Sequence, residues 1–205
     1  MTVPAFLVLA SNNRGKLAEF AELLAPYAVT VLPLSNFARD GAEETGATFH
    51  DNALLKARHA SRLAHLPAIA DDSGLEVDAL GGAPGVFSAR YAGPQATDDD
   101  NNRKLLAELL RHEGRAARFR CVLAYVRAAD AEPIFAEGVW EGSVLTAPRG
   151  TRGFGYDPLF LPVGSDVTAA ELSADEKNLL SHRGQAAREL TRRLLACGEL
   201  HARED

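Results

Sequence analysis

Residues 118–127 read Arg-Phe-Arg-Cys-Val-Leu-Ala-Tyr-Val-Arg, and they constrain the fold more than any other segment. Phe119, Cys121, Leu123 and Tyr125 alternate onto one face of an extended chain, and Val122, Ala124 and Val126 take the other. A strand apolar on both faces has to be covered on both sides, as in sheets that carry helices above and below. The spacing of the remaining segments supplies those helices and further strands.

Phe6 to Ala10 is a short apolar run that ends at Ser-Asn-Asn and predicts a buried strand. A helix follows from about Gly15, with Leu17, Phe20, Ala21 and Leu24 on one face, and Ala28 to Leu32 predicts a second strand. Thr48 caps the next helix, with Asp51 at the reciprocal position and a small-residue stripe at Ala53, Ala57, Ala60 and Ala64. Pro67 to Ala70 predicts a strand that runs into Asp71 and Asp72, with Leu75 to Leu80 extended beyond them. Thr97 caps a helix whose first turn, Asp98 to Asp100, suits the helix dipole, with Leu105, Leu106, Leu109 and Leu110 as its buried face. After the strand at 118–127 come Ile134 to Trp140 and Ser143 to Leu145, then a Gly/Pro-dense loop from Ala147 to Pro158. A final helical region begins at Ser173, breaks near Ser181 to Gly184, and turns Ala187, Leu190 and Leu194 inward. Strands alternate with helices early and pair as a hairpin late, so the expected class is α/β with a mixed sheet.

At 205 residues the chain is expected to be a single domain, 1–205, or two tightly joined lobes. Its formal net charge of −6 argues against duplex binding, which draws its affinity from Lys and Arg on phosphates. Cys121 and Cys197 form no CxxC pair and read as free thiols in a reducing cytoplasm. The start, MTVPAFLVLA, has no basic region, and the longest uncharged stretch, Leu23 to Ala38, carries Pro26 and Pro33. Neither a signal peptide nor a membrane span is expected.

Four clusters carry possible chemistry. Ser11-Asn12-Asn13-Arg14-Gly15-Lys16 lies between a strand and a helix, where free backbone N–H groups and the dipole favour an anion. It is not a Walker A loop, because Ala10 and Leu17 stand where Gly and Ser or Thr are needed, and taken alone it also reads as a capping turn. Asp71, Asp72, Glu76 and Asp78 place four carboxylates within eight residues, suited to Mg²⁺ and to activating water, or simply to an acidic turn. Glu43 and Glu44 offer one more ligand. Gly153-Phe154-Gly155-Tyr156-Asp157-Pro158 sets glycines beside an aromatic that a base can stack on, or else is a hairpin loop with its rings tucked inward. Lys177 and Ser181-His182-Arg183 gather donors at a helix break, which alone also describes a basic helix end.

Together the set is specific. SNNRGKLAEF, EETGATFHDNALLKA, DDSGLEVDALGGAPGVFSARYAG, GTRGFGYDPLF and EKNLLSHRGQA occur in that order, and the chain resembles the inosine triphosphate pyrophosphatase family, the XTP/dITP diphosphatases, from about Val8 to Ala187. Asp51, Phe87 and Gln185 depart from the residues usual in that family. The resemblance implies an elongated, twisted mixed sheet flanked by helices, two lobes with the nucleotide cleft between them, and a cytoplasmic homodimer. It implies Mg²⁺-dependent hydrolysis of ITP, dITP and XTP to the monophosphate and pyrophosphate, with no nucleic-acid or membrane partner. By motif, Ser11, Asn12, Asn13, Arg14, Gly15 and Lys16 would bind the triphosphate with Lys56 beside them. Glu44 and Asp72 would hold Mg²⁺, Asp72 would also be the general base, and Ser73 would touch the nucleotide. Phe154 would stack on the base within the segment Phe154, Gly155, Tyr156 and Asp157, and Lys177, His182 and Arg183 would complete the base pocket.

Two rivals stay open at this level. One is a pyrophosphatase for other damaged nucleotides with a retuned pocket. The other is a non-catalytic nucleotide sensor, which would have no use for a dense acidic cluster.

Overall fold

A computed structural model describes residues 6–11, 13–27, 29–39 and 41–201. The six strands are β1 (Phe6–Leu9), β2 (Thr30–Pro33), β3 (Ala68–Val77), β4 (Ala116–Val126), β5 (Ile134–Val144) and β6 (Phe160–Pro162). Five helices accompany them: α1 (Arg14–Leu24), α2 (Phe49–Ala64), α3 (Asp98–Leu109), α4 (Ala174–Leu180) and α5 (His182–Ala196). The strands form one sheet in the order β2-β1-β3-β4-β5-β6. β1 runs parallel to β2 and to β3, whereas β5 and β6 are antiparallel, so the sheet is mixed.

The chain divides into two compact units interleaved along the sequence. The first holds 1–72, 121–138 and 183–205, the second 73–120 and 139–182. In the first, Leu7, Leu9 and Ile69 pack with Phe20 and Leu24 of α1, with Cys121, Leu123 and Tyr125, and with Ala187, Leu190 and Leu194 of α5. In the second, Leu75 and Val77 pack with Leu105 and Leu109 of α3 and with Phe119, Trp140, Leu159 and Phe160. The doubly apolar strand is buried on both faces as its pattern requires, with Val122, Ala124 and Val126 excluded from solvent.

Helix starts follow local chemistry closely. Thr48 and Asp51 form a reciprocal capping box, as do Thr97 with Asp100 and Ser173 with Glu176. Asn13 caps α1 by accepting from the amides of Gly15 and Lys16. The break between α4 and α5 falls at Ser181, whose ψ of 160° is extended.

Several boundaries differ from the sequence expectation. The segments at Pro67 to Ala70 and Leu75 to Leu80 are one strand, β3, so Asp71 and Asp72 lie inside it and not at a strand end. Asp78–Leu80 turns away as a single 3-10 turn. β2 begins at Thr30 and includes Pro33, and Ala28 lies outside the described residues. β5 is continuous through residues 141–143, and the strand β6 pairs with its end. Leu110 follows the last residue of α3 and is 80% exposed, because one position past Leu109 rotates it off the buried face. No helix among the described residues is long and apolar enough to cross a membrane.

Candidate functional site

In the first unit the chemistry centres on two adjacent aspartates. Neighbouring residues of a strand point to opposite faces, so Asp71 and Asp72 meet different partners. Asp71 is buried and accepts from the Lys16 ammonium, from Arg183 Nε at 2.8 Å and from the Cys121 thiol at 3.3 Å. Arg183 Nη1 donates at 2.8 Å to Glu19 on α1, which ties the loop, α1, β3, β4 and α5 into one cluster. Burial pushes the Cys121 thiol up, and the Asp71 carboxylate adds to the effect.

Asp72 faces a second cluster. Lys56 on α2 donates to Asp72 Oδ1 at 2.5 Å and to Glu44 Oε1 at 3.0 Å, so one ammonium bridges two carboxylates. Asp72 Oδ2 is buried with no hydrogen-bond partner among the described residues. Burial raises the Asp72 carboxyl above its ordinary range, and Lys56 only partly offsets it, while Glu44 and Asp71 add to the rise. Burial lowers Lys56, but Asp72 and Glu44 outweigh it and raise the ammonium. Both directions follow from an acid-rich, poorly solvated neighbourhood that favours added positive charge.

Glu44 is presented by a loop that requires Gly46. The Gly46 amide donates to Asn52 Oδ1 at 2.8 Å. A Cβ there would lie 2.5 Å from Asp51 Cβ and 2.7 Å from Asn52 Oδ1, so only glycine admits this approach.

The N-terminal loop is organised locally. Asn13 Oδ1 takes the amides of Gly15 at 2.8 Å and Lys16 at 3.2 Å, and Ser11 Oγ takes the amide of Asn13 at 3.1 Å. Asn12 lies outside the described residues, and Arg14 enters only as the first residue of α1.

The second unit holds an aromatic platform. Asp157 Oδ2 accepts from the Phe154 amide at 2.9 Å and from Lys177 Nζ at 2.6 Å, and both charged groups are buried. Lys177 Nζ sits 4.7 Å from the centroid of the Phe154 ring, a cation–π distance. Gly153 has φ +77°, and a Cβ would fall 2.0 Å from Asp157 Oδ2, so the loop closes on Asp157 only with glycine. The Tyr156 hydroxyl donates to the Ser88 carbonyl at 2.8 Å, and Gly155 has φ +62°. His182 is buried and stacks on Phe119 at 4.8 Å with 10° between the rings.

The predicted residues therefore gather in two sets. Lys16, Glu44, Lys56, Asp72 and Arg183 belong to the first unit, and Ser73, Phe154 to Asp157, Lys177 and His182 to the second. The roles of Asp71 and Glu19 as partners of Arg183 were not legible in the sequence, since no spacing links residues 19, 71 and 183.

Comparison with known proteins decides the relationship. Residues 7–193 match the Ham1 family. The chain belongs to the Ham1 family. It is 58% identical over 193 residues to the dITP/XTP pyrophosphatase of Methylococcus capsulatus, covering 93% of this chain and 96% of that protein. It is also 58% identical over 192 residues to the dITP/XTP pyrophosphatase of Ralstonia nicotianae, covering 92% and 96%. Among solved structures, a HAM1 protein from Coxiella burnetii superposes on this Ham1 chain with a TM-score of 0.88 at 47% identity, covering 93% of this chain and 98% of that one.

Proposed function

We propose that this chain hydrolyses ITP, dITP and XTP to the monophosphate and pyrophosphate, and so keeps deaminated, noncanonical purines out of DNA and RNA. The observation that carries the reading is Asp72: a buried carboxylate with one oxygen held by Lys56, the other without a partner among the described residues, and Glu44 on the same ammonium. The Ham1 relatives named as dITP/XTP pyrophosphatases supply the substrate class.

The cofactor in this reading is Mg²⁺, held by Glu44 and Asp72. The donor set fits: both groups are carboxylates, as a hard cation wants, and Asp72 Oδ2 is a buried acceptor lacking a donor. Glu44 and Asp72 would supply two ligands, and substrate phosphate and water would supply the rest. When bound, the ion neutralises phosphate charge and so stabilises the departing pyrophosphate.

The chain's own residues do the remainder. Ser11, Asn12, Asn13, Arg14, Gly15 and Lys16 bind the phosphates, and the ammonium groups of Lys16 and Lys56 offset their charge. Asp72 orients the water that attacks the α phosphorus, since a carboxylate bound directly to a cation is a poor base. Ser73 contacts the nucleotide. Phe154 stacks on the purine, with Gly155, Tyr156 and Asp157 shaping that surface. Lys177, His182 and Arg183 bring donors toward the base, which match the O6 acceptor of hypoxanthine and xanthine and oppose the amino group of adenine. Hydrogen-bonding sites of this kind discriminate by about 10⁴–10⁵. We further propose that residues 1–205 act as one pyrophosphatase domain in a cytoplasmic homodimer.

The test is product analysis with Mg²⁺ and a panel of ITP, dITP, XTP, GTP and ATP. Pyrophosphate from the first three and little from the last two is expected. Orthophosphate as the product, or no turnover by folded protein, would overturn the assignment.

A pH dependence also follows. Lys56 favours the anionic form of Asp72, so Lys56→Met raises the Asp72 pKa further. Asp72 works as a carboxylate, so the acid limb of the kcat/KM profile moves to higher pH in that variant. An acid limb that stays in place would remove Asp72 as the group titrating there.

A further inference from the structure

Gly155 follows the proposed base platform Phe154 directly and occupies the left-handed region at φ +62°. Glycine is the most permissive residue, so something else must fix its backbone. Both of its polar groups are gripped by one helix. The Gly155 amide donates to Asp98 Oδ2 at 2.6 Å, and the Gly155 carbonyl accepts from Asn102 Nδ2 at 2.9 Å. Asp98 and Asn102 are four apart on α3 and so lie on the same face, one turn from each other.

The two bonds act on different peptide planes. The amide of Gly155 belongs to the plane shared with Phe154, and its carbonyl to the plane shared with Tyr156. Both soft torsions of Gly155 are thereby fixed. Phe154 is held from its other side too, since its own amide donates to Asp157 Oδ2 at 2.9 Å. The backbone on both sides of the ring is thereby pinned, by Asp157 within the loop on one side and by Asp98 and Asn102 of α3 on the other.

The helix that does this is anchored independently of the loop. Its start is closed by the Thr97/Asp100 box, and Leu105 and Leu109 are buried in the core of the second unit. Asn101 donates to the Ala89 carbonyl at 3.2 Å and accepts from the Ala92 amide at 2.8 Å. With Asp99 and Asp100 in the same turn, Asp98 is not needed to complement the dipole.

We propose that Asp98 and Asn102 are positioning residues that clamp Gly155 and hold the Phe154 ring in the orientation in which it stacks on the substrate purine. The inference rests on the reading of Phe154 as the base platform. Neither residue touches the phosphates in this reading, so loosening the clamp weakens base binding without slowing bond cleavage.

The experiment compares Asp98→Ala/Asn102→Ala, Asp98→Asn and Phe154→Ala with the parent enzyme, using ITP and ATP as substrates. The double variant is expected to raise KM for ITP about tenfold, a share of what base stacking contributes. Its kcat stays within about twofold, the pattern for lost uniform binding, and its preference for ITP over ATP falls. Asp98→Asn keeps an acceptor oxygen for the Gly155 amide and retains a KM near the parent value. Phe154→Ala raises KM for ITP at least as much as the double variant does. A double variant with parental KM, while Phe154→Ala is impaired, overturns the clamp alone. Parental KM in Phe154→Ala overturns the base-platform reading, and the clamp falls with it. A fall in kcat alongside a lowered unfolding midpoint would assign the two residues a merely structural role and refute the proposal, as would Asp98→Asn behaving like the alanine variant.

Discussion

Replacing Asp72 with asparagine is expected to lower kcat for ITP by about 10³-fold, the scale of lost acid–base catalysis, with Mg²⁺ saturating. Asparagine has nearly the shape of aspartate but is neutral, so it neither activates water nor holds a hard cation well. The fold should tolerate the change. Burial already disfavours the Asp72 carboxylate, as its raised pKa records, and removing a poorly solvated charge offsets the loss of its bond to Lys56. Lys56 keeps Glu44 as a partner at 3.0 Å and is not left as an isolated buried cation. The unfolding midpoint should accordingly stay within about 2 °C of the parent. Steady-state kinetics and a thermal melt on the same preparation check both halves. A rate near that of the parent would remove Asp72 from the chemistry.

Arg183→Ala should act in the opposite way, on stability above all. Its guanidinium is 3% exposed and is shared between Asp71 and Glu19. Deleting one partner of a buried ion pair costs about 3–5 kcal/mol, because the remaining charge is stranded. Here Asp71 keeps Lys16 and the Cys121 thiol, so the lower figure applies. At about 2–4 °C per kcal/mol for a chain of this size, the midpoint should fall by about 6–12 °C. Arg183→Lys keeps the charge but cannot reach both carboxylates with a planar fork, and should fall in between. The same variants test the base-side role: KM for ITP should rise in Arg183→Ala, measured at a temperature where the variant is folded. A variant as stable as the parent would mean that the Asp71–Arg183–Glu19 cluster contributes little to the fold.

These two variants differ because adjacent residues in β3 serve different clusters, and that difference was only half legible in the chain. The Asp71-Asp72 pair was recognisable as chemistry from the sequence. Its place inside a ten-residue strand was not, because consecutive carboxylates and a Ser-Gly step interrupt the apolar run that marks a buried strand. The interruption is tolerated because Lys16, Lys56 and Arg183, remote in sequence, neutralise the charges. β6 was missed for a related reason. Three residues after a Gly/Pro-dense loop carry too little pattern, and its pairing with β5 defines it.

What the sequence determined by itself is local or periodic. The capping boxes at Thr48 and Ser173 need only neighbours within four residues, and the strand at 118–127 announces its double burial through alternation. The glycines at 46 and 153 belong to motifs visible in the chain. Tertiary structure alone decided which charges meet. Side-chain reach of a few ångströms cannot be read across separations such as 16 to 71, 56 to 72 or 71 to 183, because a hydrogen bond depends on distance in space and the strand's two faces sort its partners. The grip of α3 on Gly155 belongs to the same class, since residues 98 and 102 carry no sign in the sequence of the loop they hold.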